Sequence, residues 1–347
     1  MRHRWLVSID LAVMTLAAVW LGFVGLAAQV PSSPSKTTAS AKAWTPPKTA
    51  WGEPDLQGIW SNATITPLER PKDLAGQEFL TEAEAQAREK KAVAEQSVEK
   101  RGETPETDVA GAYNFVWWDR GTKVIGTRRT SLIVDPPDGR IPWLPAAQTG
   151  ITERRNVRGA MLESEETAKS WLDLDTGERC ITDGIPWIPY AYNNNYEIIQ
   201  SPGYVAIRHE MFNELRVIPV DAGPRPHIAQ WFGTSRGHWE GKTLVVETAD
   251  FADKSTYSWA NEFRRAQPSM HLVERFTRAE NGTLLYEFTI TDPAKFTRPW
   301  TVQTPMRREE GPIFEYACHE GNYAMVDILG GGKVQAAKKS GQVTPKN

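Results

Sequence analysis

Cysteine and histidine are the scarce residues of this chain, with 2 and 6 in 347. After His3 only His209, His227, His238, His271 and His319 remain, and none belongs to an HExxH motif or to a histidine pair at i, i+2. A metal site written into one helix or strand is thereby excluded. A metal would have to be assembled from distant strands, for example through His209, His238 and His319. There is no GxxxxGK[ST] phosphate loop and no other cofactor motif, so no cofactor is expected. The net charge of −3 comes without any basic run, which argues against nucleic acid as a partner.

What is present begins with a leader. Met1-Arg2-His3-Arg4 is a basic start, and Trp5 to Ala28 is almost wholly apolar, with small residues at Gly25 and Ala27 before a Ser/Thr/Pro/Lys-rich tract. Residues 1–28 therefore read as a signal peptide and the protein as periplasmic or secreted. The stretch from Leu11 to Ala28 is also about long enough to span a bilayer, so an uncleaved anchor is the competing reading and the only one that involves a membrane. Residues 29–50 lack the apolar content to offset ordering entropy and read as a flexible linker. In an oxidising compartment Cys180 and Cys318 form an even pair, and one disulfide is the default.

From Tyr196 to Glu320 short runs rich in β-branched and aromatic residues alternate with turn signals, of which Asn281-Gly282 is the strongest. The expected fold is mainly β: an antiparallel meander closing into a lipocalin-like barrel over residues 113–330, with a two-sheet sandwich as the alternative. The last strands expected are Trp300–Arg307 and Ile313–Cys318. Residues 51–112 read as an N-terminal arm or edge strand, around Ile59-Trp60, followed by one solvated helix. Thr81-Glu82-Ala83-Glu84 fits a capping box that starts this helix at about Glu82, to run to Lys100. With few large apolar residues the helix is expected to face water and to take no part in ligand chemistry. Tyr113 to Val134 suggests an aromatic strand and hairpin, 151–178 a lid-like excursion, and 331–347 a disordered tail.

The runs Pro54-Asp55-Leu56-Gln57-Gly58-Ile59-Trp60, Gly237-His238-Trp239-Glu240-Gly241-Lys242-Thr243 and Tyr316-Ala317-Cys318-His319-Glu320-Gly321-Asn322-Tyr323 resemble an uncharacterised family of exported soil-bacterial proteins. The resemblance extends over nearly all of the chain after the leader and implies export. It carries no catalytic residues with it.

Chemistry must then be sought in side chains. His209 shares a strand face with Val205 and Ile207 and should point inward, where a carboxylate such as Glu247 or Glu287 could meet it across the barrel. Tyr190, His209, Arg216 and Glu287 together would offer an acid, a base and an anion stabiliser, with His319 near a barrel mouth. Aromatic residues are abundant, with 14 Trp in the chain. Trp117-Trp118, Trp187 with Tyr190 and Tyr192, and Trp231-Phe232 could wall a site for a partly apolar small molecule, with Asn194 and His238 supplying polar contacts. The sober reading of the same rings is that they fill a large core. A binder of a small ligand is the primary expectation. A hydrolase, lyase or isomerase is the alternative, and a structural or interaction module the third class. The oligomeric state is left open.

Overall fold

The computed structural model describes residues 44–96, 104–105, 119–149, 176–177, 179–252 and 268–340, all within one compact unit, Trp44–Asn347. Ten strands make a single sheet: β1 (Gly58–Ser61), β2 (Ile133–Asp135), β3 (Asn195–Ser201), β4 (Tyr204–His209), β5 (Glu214–Pro219), β6 (Thr234–Glu240), β7 (Thr243–Ala249), β8 (His271–Glu280), β9 (Thr283–Thr291) and β10 (Trp300–Glu309). Their order is β5-β4-β3-β1-β10-β9-β8-β7-β6, with β2 off this path on β10. Apart from β2, each strand thus lies beside its neighbours in the chain, and β1 sits beside the last strand. This is an up-and-down barrel, nearly closed, and the single sheet rules out the sandwich.

An odd number of strands cannot alternate in direction all the way round. The one parallel seam falls between β5 and β6, where Val220 bridges Gly237 and the Asp221 N–H donates to the Gly237 carbonyl at 2.9 Å. Parallel neighbours need a long crossover, and residues 220–233 supply it. Gly237 allows the two backbones to close. A Cβ there would lie 3.2 Å from Ile218 Cγ2 and 3.3 Å from both Leu244 Cδ1 and Val220 Cγ2.

Alternation places the core. β9, TLLYEFTIT, turns Leu284, Tyr286, Phe288 and Ile290 inward, and β10 turns in Trp300, Val302, Thr304 and Met306. Trp60 of β1 is fully buried, paired with Tyr196 on one side and Arg308 on the other. The arm and edge-strand expectation is therefore corrected: β1 is an interior strand, hydrogen-bonded along both edges. β2 occupies the same edge of β10 further along, at Thr301 and Val302, so two fragments fill one slot with residues 62–132 inserted between them. It forms no hairpin with residues 124–125.

The barrel's two ends differ. Tight turns after β3, β6 and β8 close one, whereas the long connections 62–132, 136–194, 250–270 and 292–299 leave from the other. Helix α1 (Glu82–Glu95) belongs to the first of these connections and starts with the expected capping box: Thr81 Oγ1 accepts from the Glu84 N–H at 3.2 Å and Glu84 Oε2 accepts from the Thr81 N–H at 2.7 Å. After β10 the chain does not form the further strand expected over 313–318. It runs without regular structure to the Cys180–Cys318 disulfide, Cα–Cα 5.7 Å, and then enters α2 (Ala324–Lys339). Residues 331–339, expected as tail, are thus helical. No helix among the described residues is long and apolar enough to cross a membrane. The leader, the linker as far as Ala43, residues 111–118 and most of 151–178 lie outside the described residues.

Candidate functional site

Among the buried polar side chains of the barrel interior are two clusters that contain residues singled out by sequence. Arg216 projects inward from β5 and meets Glu274 of β8 with both terminal nitrogens, Nη1 to Oε1 at 3.0 Å and Nη2 to Oε2 at 2.5 Å. The same Nη2 donates to Thr248 Oγ1 at 2.9 Å and Ser235 Oγ at 3.1 Å, and the Tyr286 hydroxyl donates to Glu274 Oε1 at 2.8 Å. Burial and the adjacent Glu274 carboxylate push the Tyr286 phenol well above its ordinary value.

Nearer the mouth, Glu214 at the start of β5 accepts from Thr182 Oγ1 at 2.6 Å, the Asp183 N–H at 2.8 Å and Trp187 Nε1 at 3.4 Å. This fastens the 182–187 segment across the barrel end. His209 stacks on Tyr196 with ring centroids 4.6 Å apart and lies 5.0 Å from the Trp187 ring. Its Nδ1 is 3.8 Å from Glu214 Oε2, beyond hydrogen-bond reach, and finds no other partner among the described residues.

These groups are packed in. The void beside them, lined by Trp187, Tyr196, Ile198, Ile207, Phe276, Tyr286 and Met306, measures about 10 Å³ and is apolar. That is room for about one water and no ligand.

Space is found outside the barrel wall. A cleft of about 640 Å³ lies between α1, the stretch Thr64–Leu68 and the segment Ile188–Ala191. Its origin is in the sequence of α1, which turns only the small Ala85 and Ala92 into buried positions. A helix without large apolar residues cannot pack flush. It is held off by polar ties, Arg128 Nη1 to Glu82 Oε2 at 2.6 Å, Lys123 Nζ to Glu89 Oε2 at 2.7 Å and Gln96 Nε2 to the Gly121 carbonyl at 2.9 Å. The face it offers the cleft carries Arg88, Lys91, Ala92 and Glu95, residues spaced i, i+3, i+4 and i+7.

The opposite wall is fixed by Asn194. Its Oδ1 accepts from the Tyr190 N–H at 2.8 Å, and its Nδ2 donates to the Asp119 carbonyl at 2.6 Å and the Tyr190 carbonyl at 3.1 Å. Tyr190 lines the cleft and meets Tyr192 edge-on at 5.7 Å. Beyond them Tyr316 packs on Phe212 at 4.9 Å, and burial, followed by the Tyr192 phenol, Asp183 and Tyr190, pushes its hydroxyl up to about 12.

Of the residues singled out by sequence, Tyr190 and Asn194 build the cleft, and Tyr192 buttresses it. His209, Arg216 and Trp187 lie inside the barrel but apart from the cleft. Glu287 does not join them: it sits on the outer face, where it accepts from Gln303 Nε2 at 3.2 Å. Glu247 is likewise exposed, and the inward carboxylates are Glu274 and Glu214. His238 is on the outer face with Glu240 at 3.3 Å, Trp231 is 36% exposed in the crossover, and His319 is exposed in a turn. Trp117 and Trp118 lie outside the described residues. No group of three or more His, Cys, Asp and Glu placed to hold a metal occurs among the described residues, so His209, His238 and His319 do not converge.

One pattern has a purely structural answer. Gly233-Thr234-Ser235-Arg236-Gly237 spells the spacing of a nucleophile elbow. That motif needs a strand, a sharp turn and a helix. Here Ser235 lies within β6, buried against Thr248 and Arg216, and the glycines serve a turn at Gly233 (φ 62°) and the seam at Gly237.

Comparison with family models, with curated proteins and with solved structures finds no match to this chain.

Proposed function

We propose that this is an exported protein that binds a small, partly apolar ligand in the cleft between α1 and the 188–191 segment, and not inside the barrel. The observation that carries the reading is the contrast in space: about 640 Å³ in the cleft against about 10 Å³ in the barrel void. Ligand pockets run to roughly 300–1,000 Å³ with apolar walls and a few oriented polar groups. The cleft has that character, with Leu68, Ile188 and Pro189 as apolar surface, Tyr190 as an amphipathic ring, and charged groups on the α1 side. The disulfide between Cys180 and Cys318 accords with an oxidising compartment such as the periplasm.

The test is direct binding of small aromatic and aliphatic probes to the full chain, alongside Ala92→Trp, which places an indole in the cleft from the last turn of α1. Saturable binding that disappears in Ala92→Trp supports the reading. Binding that Ala92→Trp leaves untouched, or no saturable binding of any probe, overturns it.

A further inference from the structure

We infer that the ligand of this cleft is an acid: a carboxylate, sulfonate or phosphate ester on a small aromatic or otherwise apolar body. The inference rests on the cleft being the ligand site and concerns what the site selects.

The charges that α1 brings to the cleft are unbalanced among the described residues, where Arg88 and Lys91 line it against one carboxylate, Glu95. The opposite wall, Thr64 to Leu68, and the segment Ile188–Ala191 contain no acidic residue. Of the wall's hydroxyls, Thr64 Oγ1 donates to the Lys123 carbonyl at 2.8 Å, and Thr66 Oγ1 accepts from the Ile125 N–H at 3.0 Å. The charged donors that α1 presents to a ligand are Arg88 and Lys91.

The ion pairs of Arg88 and Lys91 are loose. Arg88 Nη2 stands 3.9 Å from Asp73, whose side chain is 74% exposed. Lys91 Nζ stands 3.7 Å from Glu95, and both side chains are more than half exposed, at 74% and 55%. Solvated pairs of this kind are worth about 0–1 kcal/mol. An incoming acid displaces them at little cost, and a guanidinium beside an ammonium, one helical turn apart, suits an oxyanion. Away from the helix the same ligand meets Leu68, Ile188, Pro189 and the Tyr190 ring, whose edge-on contact with Tyr192 sets its tilt. Acid at the helix and apolar body at the Tyr190 wall follow from this division of the lining.

The experiment is calorimetric titration of the full chain with benzoate and with its uncharged analogue benzamide, at low and at high salt. The variants are Arg88→Gln/Lys91→Gln, the charge-conserving Arg88→Lys/Lys91→Arg, and Ala92→Trp, each checked for an unchanged thermal melt. Benzoate should bind about tenfold more tightly than benzamide, as one charge-assisted hydrogen bond of advantage gives. That advantage should vanish in the glutamine variant, persist in the charge-conserving one, and shrink with salt.

If the two probes bind equally, and the glutamine variant changes neither while Ala92→Trp abolishes both, the site stands and the acid is wrong. If either probe still binds Ala92→Trp, or neither binds the unmodified chain, the site itself is wrong and the acid falls with it.

Discussion

Arg216 reaches from β5 across the parallel seam to three other strands, touching Ser235 of β6, Thr248 of β7 and Glu274 of β8. The backbone supplies that seam with the lone Val220–Gly237 bridge. Side chains therefore do much of the closing. A buried guanidinium and carboxylate each lose several kcal/mol of hydration, recovered only when geometry is good and the remaining donors are satisfied. The paired contacts to Glu274 meet the first condition, and the two hydroxyls with Tyr286 meet the second only in part, since Arg216 Nε is buried without a partner among the described residues. Arg216→Met strands Glu274 in the core, and urea unfolding should register a loss of about 3–5 kcal/mol. Arg216→Met/Glu274→Leu should recover much of it, since no charge is then left unpaired. A single variant as stable as the parent would refute closure by Arg216. Alkali probes the tyrosines in a second way. Tyr316 is raised to about 12 from 10.0, so the folded state holds its proton when the unfolded chain has lost it. Its contribution to stability is complete below pH 10.0 and declines as pH rises through about 12. Tyr316→Phe should flatten that decline in alkaline unfolding curves, and an unchanged slope would contradict the assignment.

Helix α1 joins the barrel through its cap and a few polar ties, so its stability should be separable from that of the sheet. Thr81→Ala removes the capping box at a cost of about 1 kcal/mol. Amide hydrogen exchange should quicken through Glu82–Glu95 and stay as it was in β8 and β9; a uniform change across both would mean that helix and barrel unfold together. The start of this helix was legible because a capping box is local, four consecutive residues dictating their own hydrogen bonds. The hairpins at Gly203, Gly241 and Gly282 were legible for the same reason. Harder to read was everything decided by distant pairing. Gly58–Ser61 contains one inward tryptophan and no alternation long enough to mark a central strand; its place is set by β3 and β10, far along the chain. The parity of Glu287 follows from the register of β9, which reverses the face a residue occupies with each step of one. The cleft is not legible in the sequence because a helix poor in large apolar residues has the same composition whether it faces open solvent or one wall of a cleft. What trace it leaves is Arg88, Lys91, Ala92 and Glu95, a helical face with alanine where a packed helix would carry leucine.

At the scale of the molecule the disulfide matters more for what it positions than for what it closes. It joins residues 138 apart, for which chain-entropy arguments give on the order of 4–5 kcal/mol and measured bonds typically about 2–4. The barrel, however, already has its antiparallel ladders, its seam and its core without the segment that Cys318 anchors, since every described side chain from Glu310 to Ser340 is at least partly exposed. What does depend on the bond is the run that follows Cys180, which leads to Ile188–Ala191 and so to one wall of the cleft. Glu214 holds Thr182 and Asp183, and Asn194 holds Tyr190, leaving the disulfide as the outer tether of the same stretch. Cys180→Ser/Cys318→Ser should therefore separate two properties. Limited proteolysis should cut between 310 and 340 in the variant and spare the barrel strands, while small-ligand affinity falls through a loosened Tyr190 wall. Were the variant to lose barrel and binding in one transition, the covalent tie would be holding the whole fold, and the cleft wall would have no stability of its own to lose.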